Sequence, residues 1–191
     1  MDLSSKLDES VQIGNRLYTL NLAYDNVLRL FDMFKDPMIN ELDKPIIAVK
    51  MLIKEQIEEP LTLNDYAELF EELFEQYISG LKGDERTGYD LEGNPLPSKF
   101  SESEKALYDL KKDGEYIYSS FIYAYGIDLF DVQGSLRWEK FNALLSGLPE
   151  DSKLMQVMKI RAWKPSKGES SEYKKQMREL QEIYKLDEEG G

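Results

Sequence analysis

The chain has no histidine and no cysteine among its 191 residues. Without cysteine there are no disulfides and no thiolate metal ligands, which fits a reducing compartment. Without histidine the chain lacks the side chain that most readily moves protons near neutral pH. The commonest ligand for zinc, copper and iron is gone with it. Long apolar runs are also missing, and none approaches the roughly 20 residues that a bilayer core requires. The first ten residues are polar and acidic, without the apolar stretch of a signal peptide. A soluble protein with no membrane partner is therefore expected.

Positive charge is scarce. Lysine and arginine number 24 against 37 acids, a net charge of −13. Residues 1–100 carry 20 acids against 10 bases, and residues 101–191 carry 17 against 14. Duplex DNA would be repelled by the first half, so no nucleic-acid partner is expected. Such acidity serves either solubility or the docking of a basic partner.

Hydrophobic residues make up 41% of the chain and aromatic residues 12%, enough to build a core and to argue against wholesale disorder. Apolar positions alternate on either side of Gly14-Asn15, a hairpin signal because both residues tolerate positive φ. Helical spacing follows over Tyr24–Phe34. A second helix is led by Pro45 and predicted to reach about Ile57. A third runs from Leu63 toward Leu81, with Thr62 or Asn64 as its cap and Glu68, Glu71, Glu72 and Glu75 on its outer face.

Residues 82–100 are rich in glycine and proline and read as a flexible linker or a long loop. Ser101 and Glu104 form a capping box for a helix that ends at Gly126, with Gly114 inside it. Further helices are predicted over Leu136–Ser146, from Asp151 or Ser152 to about Trp163, and over Ser171–Leu186. The expected fold is mainly α, a multi-helix bundle with a small N-terminal β-hairpin. Its expected parts are residues 1–81 (hairpin plus helices), the segment 82–100, a C-terminal helical domain over 101–186, and a disordered tail over 187–191.

Catalysis would have to rest on Asp, Glu, Tyr, Lys, Ser or Arg. No Gly-x-Ser-x-Gly elbow, phosphate-binding glycine loop or GxGxxG is present. Glu68/Glu72 and Glu71/Glu75 have the spacing to share a hard cation, but like charges at that spacing repel, and a solvated face is the plainer reading. Asp84, Asp90 and Glu92 near Gly93 only superficially resemble a calcium loop. No catalytic residue, metal site or cofactor is expected.

Five tyrosines, Tyr108, Tyr116, Tyr118, Tyr123 and Tyr125, crowd one region. Tyr116, Tyr118 and Tyr123 cannot share one buried stripe, so at least one should face outward. The candidate contact residues are Tyr123, Trp138, Phe141 and Met177, with Trp138 more at home in a core than on a surface. Bases from Lys153 to Arg178 read either as a docking face for an acidic partner, including a second copy of the chain, or as internal charge balance.

Tyr116 to Arg161 carries Phe121 with Tyr125-Gly126-Ile127-Asp128-Leu129, Trp138 with Phe141, Leu144-Leu145 before Gly147-Leu148-Pro149, and Ile160-Arg161. In these elements the chain resembles the gene-product-fifteen family of tailed phages and prophages of Gram-positive bacteria. The resemblance covers most of the chain and is specific over about residues 116–161. It implies a non-enzymatic tail assembly chaperone in the cytoplasm of the bacterial host. Such a factor coats the tape measure protein and recruits tail tube subunits, or accompanies a shorter chaperone, with homo-oligomers possible. The alternatives are a structural tail or neck component of the virion and, more remotely, a carboxylate-dependent hydrolase.

Overall fold

A computed structural model describes Ser4 and residues 6–80, 88–95 and 106–186. Strands β1 (Ser10–Ile13) and β2 (Arg16–Thr19) form an antiparallel hairpin in which Ser10 faces Thr19 and Ile13 faces Arg16. Gly14, at φ +56°, takes the first turn position. No other described residue of this turn has positive φ, as a turn with glycine first requires. Ile13 and Tyr18 bury the inner face of the hairpin, while Leu17 remains exposed.

Helix α1 (Tyr24–Lys35) buries Val27, Leu30, Phe31 and Met33. Asn26 enters the core with them because its amide donates to the carbonyls of Asn21 and Met51, satisfying the polar group that burial would otherwise penalise. Helix α2 (Lys44–Leu52) stops short of the predicted Ile57. Beyond Leu52 the backbone is extended: Ile53 bridges Leu20, and Lys54 donates to Thr19 O. The side chain of Glu55 accepts from Thr19 N and Oγ1. These partners compete successfully with further helix.

Helix α3 (Leu63–Leu73) opens with a capping box in which Thr62 and Asp65 satisfy one another's backbone amides. It continues as a π-helical turn, Phe74–Ile78, closed by Ser79 N donating to Phe74 O. Leu63 and Ala67, which fall on the apolar helical spacing, are exposed, because only the second half of the helix reaches the core.

Helix α4 (Gly114–Tyr125) begins 13 residues later than the predicted Ser101. The capping box at Ser101 and Glu104 lies outside the described residues, as does the tail 187–191. Residues 109–113 are turns. Asp109 Oδ1 accepts from the amides of Lys111 and Lys112, and Asp113 Oδ2 accepts from Asp109 N. Gly114 is thus the first residue of a helix rather than an interruption. Gly126, at φ +64°, ends α4 as expected.

Helix α5 (Trp138–Ser146) is joined to the N-terminal part through Trp138 N→Leu22 O and Tyr24 N→Leu136 O. Helix α6 (Lys153–Ala162) has Ser152 at its cap position, yet that hydroxyl makes no capping bond. The oxygen comes instead from Ser120 on α4, whose Oγ accepts from Leu154 N at 2.9 Å. Helix α7 (Ser171–Tyr184) is capped by Ser170 and leans on α6 without burying any residue fully.

One hydrophobic cluster runs from Ile13 to Leu154. Its centre is aromatic. Phe141 stacks on Tyr24 (4.9 Å), Phe121 (5.3 Å) and Trp138 (5.6 Å), while Phe31 and Tyr89 close on Trp138 from other sides. Pairs of this kind contribute about 0.5–1.5 kcal/mol each beyond burial. Tyr89 belongs to the segment read as linker or loop. Its described part, 88–95, sends this ring into the core, and Gly93 turns the chain against Phe31.

Candidate protein-interaction surface

The four candidate contact residues fall in different environments. Trp138 and Phe141 are 0% and 1% exposed, so the core role weighed for the tryptophan applies to both rings. The Trp138 indole N–H donates to Ile78 O, which fixes the ring between the π-helical turn and Phe31 of α1. As placed, neither ring can touch a partner. Met177 is half-buried on α7. Tyr123 is 62% exposed on α4 and is the tyrosine that faces outward.

Around Tyr123 the structure assembles a surface that no single sequence element announces. The solvent side of α4 presents Glu115, Ser119, Ile122 and Tyr123, with Tyr118 half-buried beside them. Phe130, 70% exposed on the turn after α4, packs its ring 5.5 Å from that of Tyr118. Two carboxylates fix this aromatic group. Tyr118 Oη donates to Asp128 Oδ2 at 3.0 Å, and Tyr123 Oη donates to Asp151 Oδ2 at 2.6 Å. Both bonds hold their phenols protonated, raising each above the usual tyrosine value, and the negative charge of the acceptor adds to the effect. Asp128 Oδ1 also accepts from Phe130 N, which sets the turn that displays the ring.

Three of the bases in the C-terminal part are committed within the fold. Arg161 makes a bidentate pair with buried Asp113, Lys159 pairs with Glu150, and Lys153 lies over the Tyr184 ring and donates to its hydroxyl. Internal balance therefore accounts for these three, while Lys164 and Lys167 are exposed between α6 and α7. On α3, Glu68, Glu71, Glu72 and Glu75 all face solvent.

One concave site is lined by polar side chains. A cleft of about 400 Å³ is lined by Lys35, Glu92, Asn94, Asp109 and Lys112. The backbone amides of Lys111 and Lys112 occupy one oxygen of Asp109, and the Asn94 amide approaches Glu92. Asp90, from the calcium-like run, accepts from the amides of Glu92 and Asn94 as an ordinary turn residue, while Asp84 lies outside the described residues. Among the described residues no group of three or more acidic side chains is placed to hold a metal ion, and no helix is long and apolar enough to cross a membrane.

The sequence profile of the bacteriophage Gp15 protein family matches residues 3–186. The chain belongs to that family. The match spans both the N-terminal hairpin with its helices and the C-terminal helices, so it describes the whole fold rather than one motif. No significant match to a curated protein or to a solved structure was found. Membership makes this a phage protein of the structural or assembly kind.

Of the surface residues, sequence reasoning did not single out Ile122 or Phe130 as exposed, and it named Asp128 only within the family-like run and Asp151 only as a candidate helix cap. The usable signal was the run Asp128-Leu129-Phe130-Asp131, where an aromatic residue sits in a turn between acids.

Proposed function

We propose that this Gp15 family member is a non-enzymatic tail assembly chaperone of a long-tailed phage, acting in the host cytoplasm. Its partners would be the tape measure protein and the tail tube protein, or a companion chaperone. The observation that carries the reading is the family match over residues 3–186. The fold supports it, because the chain exposes Ile122 and Tyr123 on α4 and Phe130 on the turn after it. A tape measure protein is a long helix with apolar stripes. A small helical domain with an exposed apolar ridge can cover such stripes until tube subunits replace it. Modest affinity per copy, multiplied by many sites along one template, would give tight coating that remains reversible.

The test is a phage carrying a deletion of this gene. The reading requires short, aberrant or missing tails, together with absence of the protein from purified wild-type virions. Stoichiometric copies in virions would instead make it a structural tail or neck component. Normal tails from the deletion would refute both.

A further inference from the structure

The outer face of α4 combines two properties rarely left together on a solvated surface. The Tyr118 and Phe130 rings pack against each other, and Ile122 and Tyr123 stand exposed on the same helix, so apolar side chains line this face. The carboxylates around these side chains are Glu115, Asp128, Asp131 and Asp151, and among the described residues none of them makes an ion pair. Two of them already grip the tyrosine hydroxyls. Among the described residues no lysine or arginine sits over these rings, although Lys153 does so over Tyr116 and Tyr184 elsewhere on the molecule.

We infer that the Tyr118–Ile122–Tyr123–Phe130 ridge docks a basic amphipathic helix, whose apolar stripe covers the rings and whose flanking Lys or Arg meet Glu115, Asp128, Asp131 and Asp151. Charge complementarity selects this occupant. An acidic or neutral helix of equal hydrophobicity would cover the rings but leave the rim unpaired. Lysine or arginine beside the rim gains both the carboxylates and the faces of the aromatic rings. The hydroxyl bonds hold Tyr118 and Tyr123 in fixed rotamers, so little side-chain freedom remains to be lost on docking.

This assignment rests on the proposed chaperone role and adds the chemistry of the partner segment. The probes are a fluorescein-labelled 20-residue Leu/Lys amphipathic helix, the same peptide with Glu for Lys, and a scrambled Leu/Lys control. Each is titrated by anisotropy into the full-length protein. The basic helix should bind at least about tenfold tighter than either control. A combined Ile122→Asp and Phe130→Ser variant should weaken binding about tenfold or more, with thermal stability unchanged. Tyr123→Ala should act in the same direction if the double variant misfolds. Glu115→Lys with Asp131→Lys should weaken binding several-fold and flatten its salt dependence. Ile183→Ser, at an equally exposed apolar site on α7, should change nothing.

Equal affinity for the basic and acidic peptides would overturn the inference. So would unchanged binding by the α4 variants, or an equal loss in Ile183→Ser. A concentration-dependent dimer dissolved by the α4 variants would overturn it in favour of a second copy of the chain. A tape measure protein that binds both wild type and the α4 variants sinks the surface and spares the chaperone. Peptide binding at α4 without tape measure binding does the reverse.

Discussion

Replacing Arg161 by methionine probes how the C-terminal helices are tied together. Its guanidinium forms two bonds to Asp113, Nη1–Oδ2 at 2.6 Å and Nη2–Oδ1 at 2.8 Å. It also donates to Leu107 O at 2.9 Å and to Tyr184 O at 2.5 Å. One side chain thereby joins α6 to the residue preceding α4, to the turn before it and to the end of α7. The Arg161 and Asp113 side chains are 9% and 2% exposed, so solvent cannot substitute for the lost partner.

Methionine keeps most of the volume and removes the charge, leaving a buried carboxylate that retains only the Asp109 amide. Breaking one side of such a pair costs about 3–5 kcal/mol. For a domain of this size that corresponds to a melting temperature roughly 6–20 °C lower. Urea unfolding followed by far-ultraviolet circular dichroism gives the free energy, and a thermal scan gives the shift. The pair with Asp113→Asn should be non-additive, the double variant losing at least about 1 kcal/mol less than the sum of the singles. A cost below about 1 kcal/mol for Arg161→Met, or additivity of the two, would refute the reasoning.

Gly93→Ala and Gly126→Ala make a matched pair. Both replace a glycine of positive φ, costing about 1–2 kcal/mol, but a Cβ at Gly93 would also lie 2.3 Å from Phe31 Cδ2 whereas Gly126 faces open space. Gly93→Ala should therefore be the more destabilising by about 1–3 kcal/mol in denaturant titrations. Trp138→Phe should lower stability by about 2–4 kcal/mol, because Ile78 O loses the indole donor and the ring leaves a void. Alkaline titration should show a specific limb. Burial raises Tyr89 well above the ordinary tyrosine value and raises Tyr108 as well, whereas the unfolded chain ionises near 10. Their contribution is complete below about pH 10 and is lost as pH rises above it, because the unfolded state then binds fewer protons. Tyr89→Phe should flatten that decline in pH-dependent unfolding, at a neutral-pH cost of about 1 kcal/mol for the lost bond to Tyr108.

The hairpin was legible because Gly14 supplies a local signal that packing does not override. The stop at Gly126 was legible for the same reason. Boundaries set by distant partners were not. The start of α4 depends on Asp113, which Arg161 holds from α6, and the end of α2 depends on strand-like bonds to Thr19. The cap of α6 comes from Ser120, a residue that reads as an ordinary polar position within a helix. The burial of Tyr89 was hidden by the glycines and prolines around it. At the surface, helical geometry required at least one of Tyr116, Tyr118 and Tyr123 to face outward, and the structure shows that it is Tyr123. Phe130 required the turn after α4 to fold back toward Tyr118, which periodicity does not encode.

Co-expression with the tape measure protein encoded in the same phage is the most direct test. The account predicts a soluble complex that survives size exclusion, holds several copies of this chain per tape measure molecule, and loses them when Ile122 and Phe130 are both replaced. A tape measure protein that aggregates equally with and without this chain, and never co-elutes with it, would contradict the account.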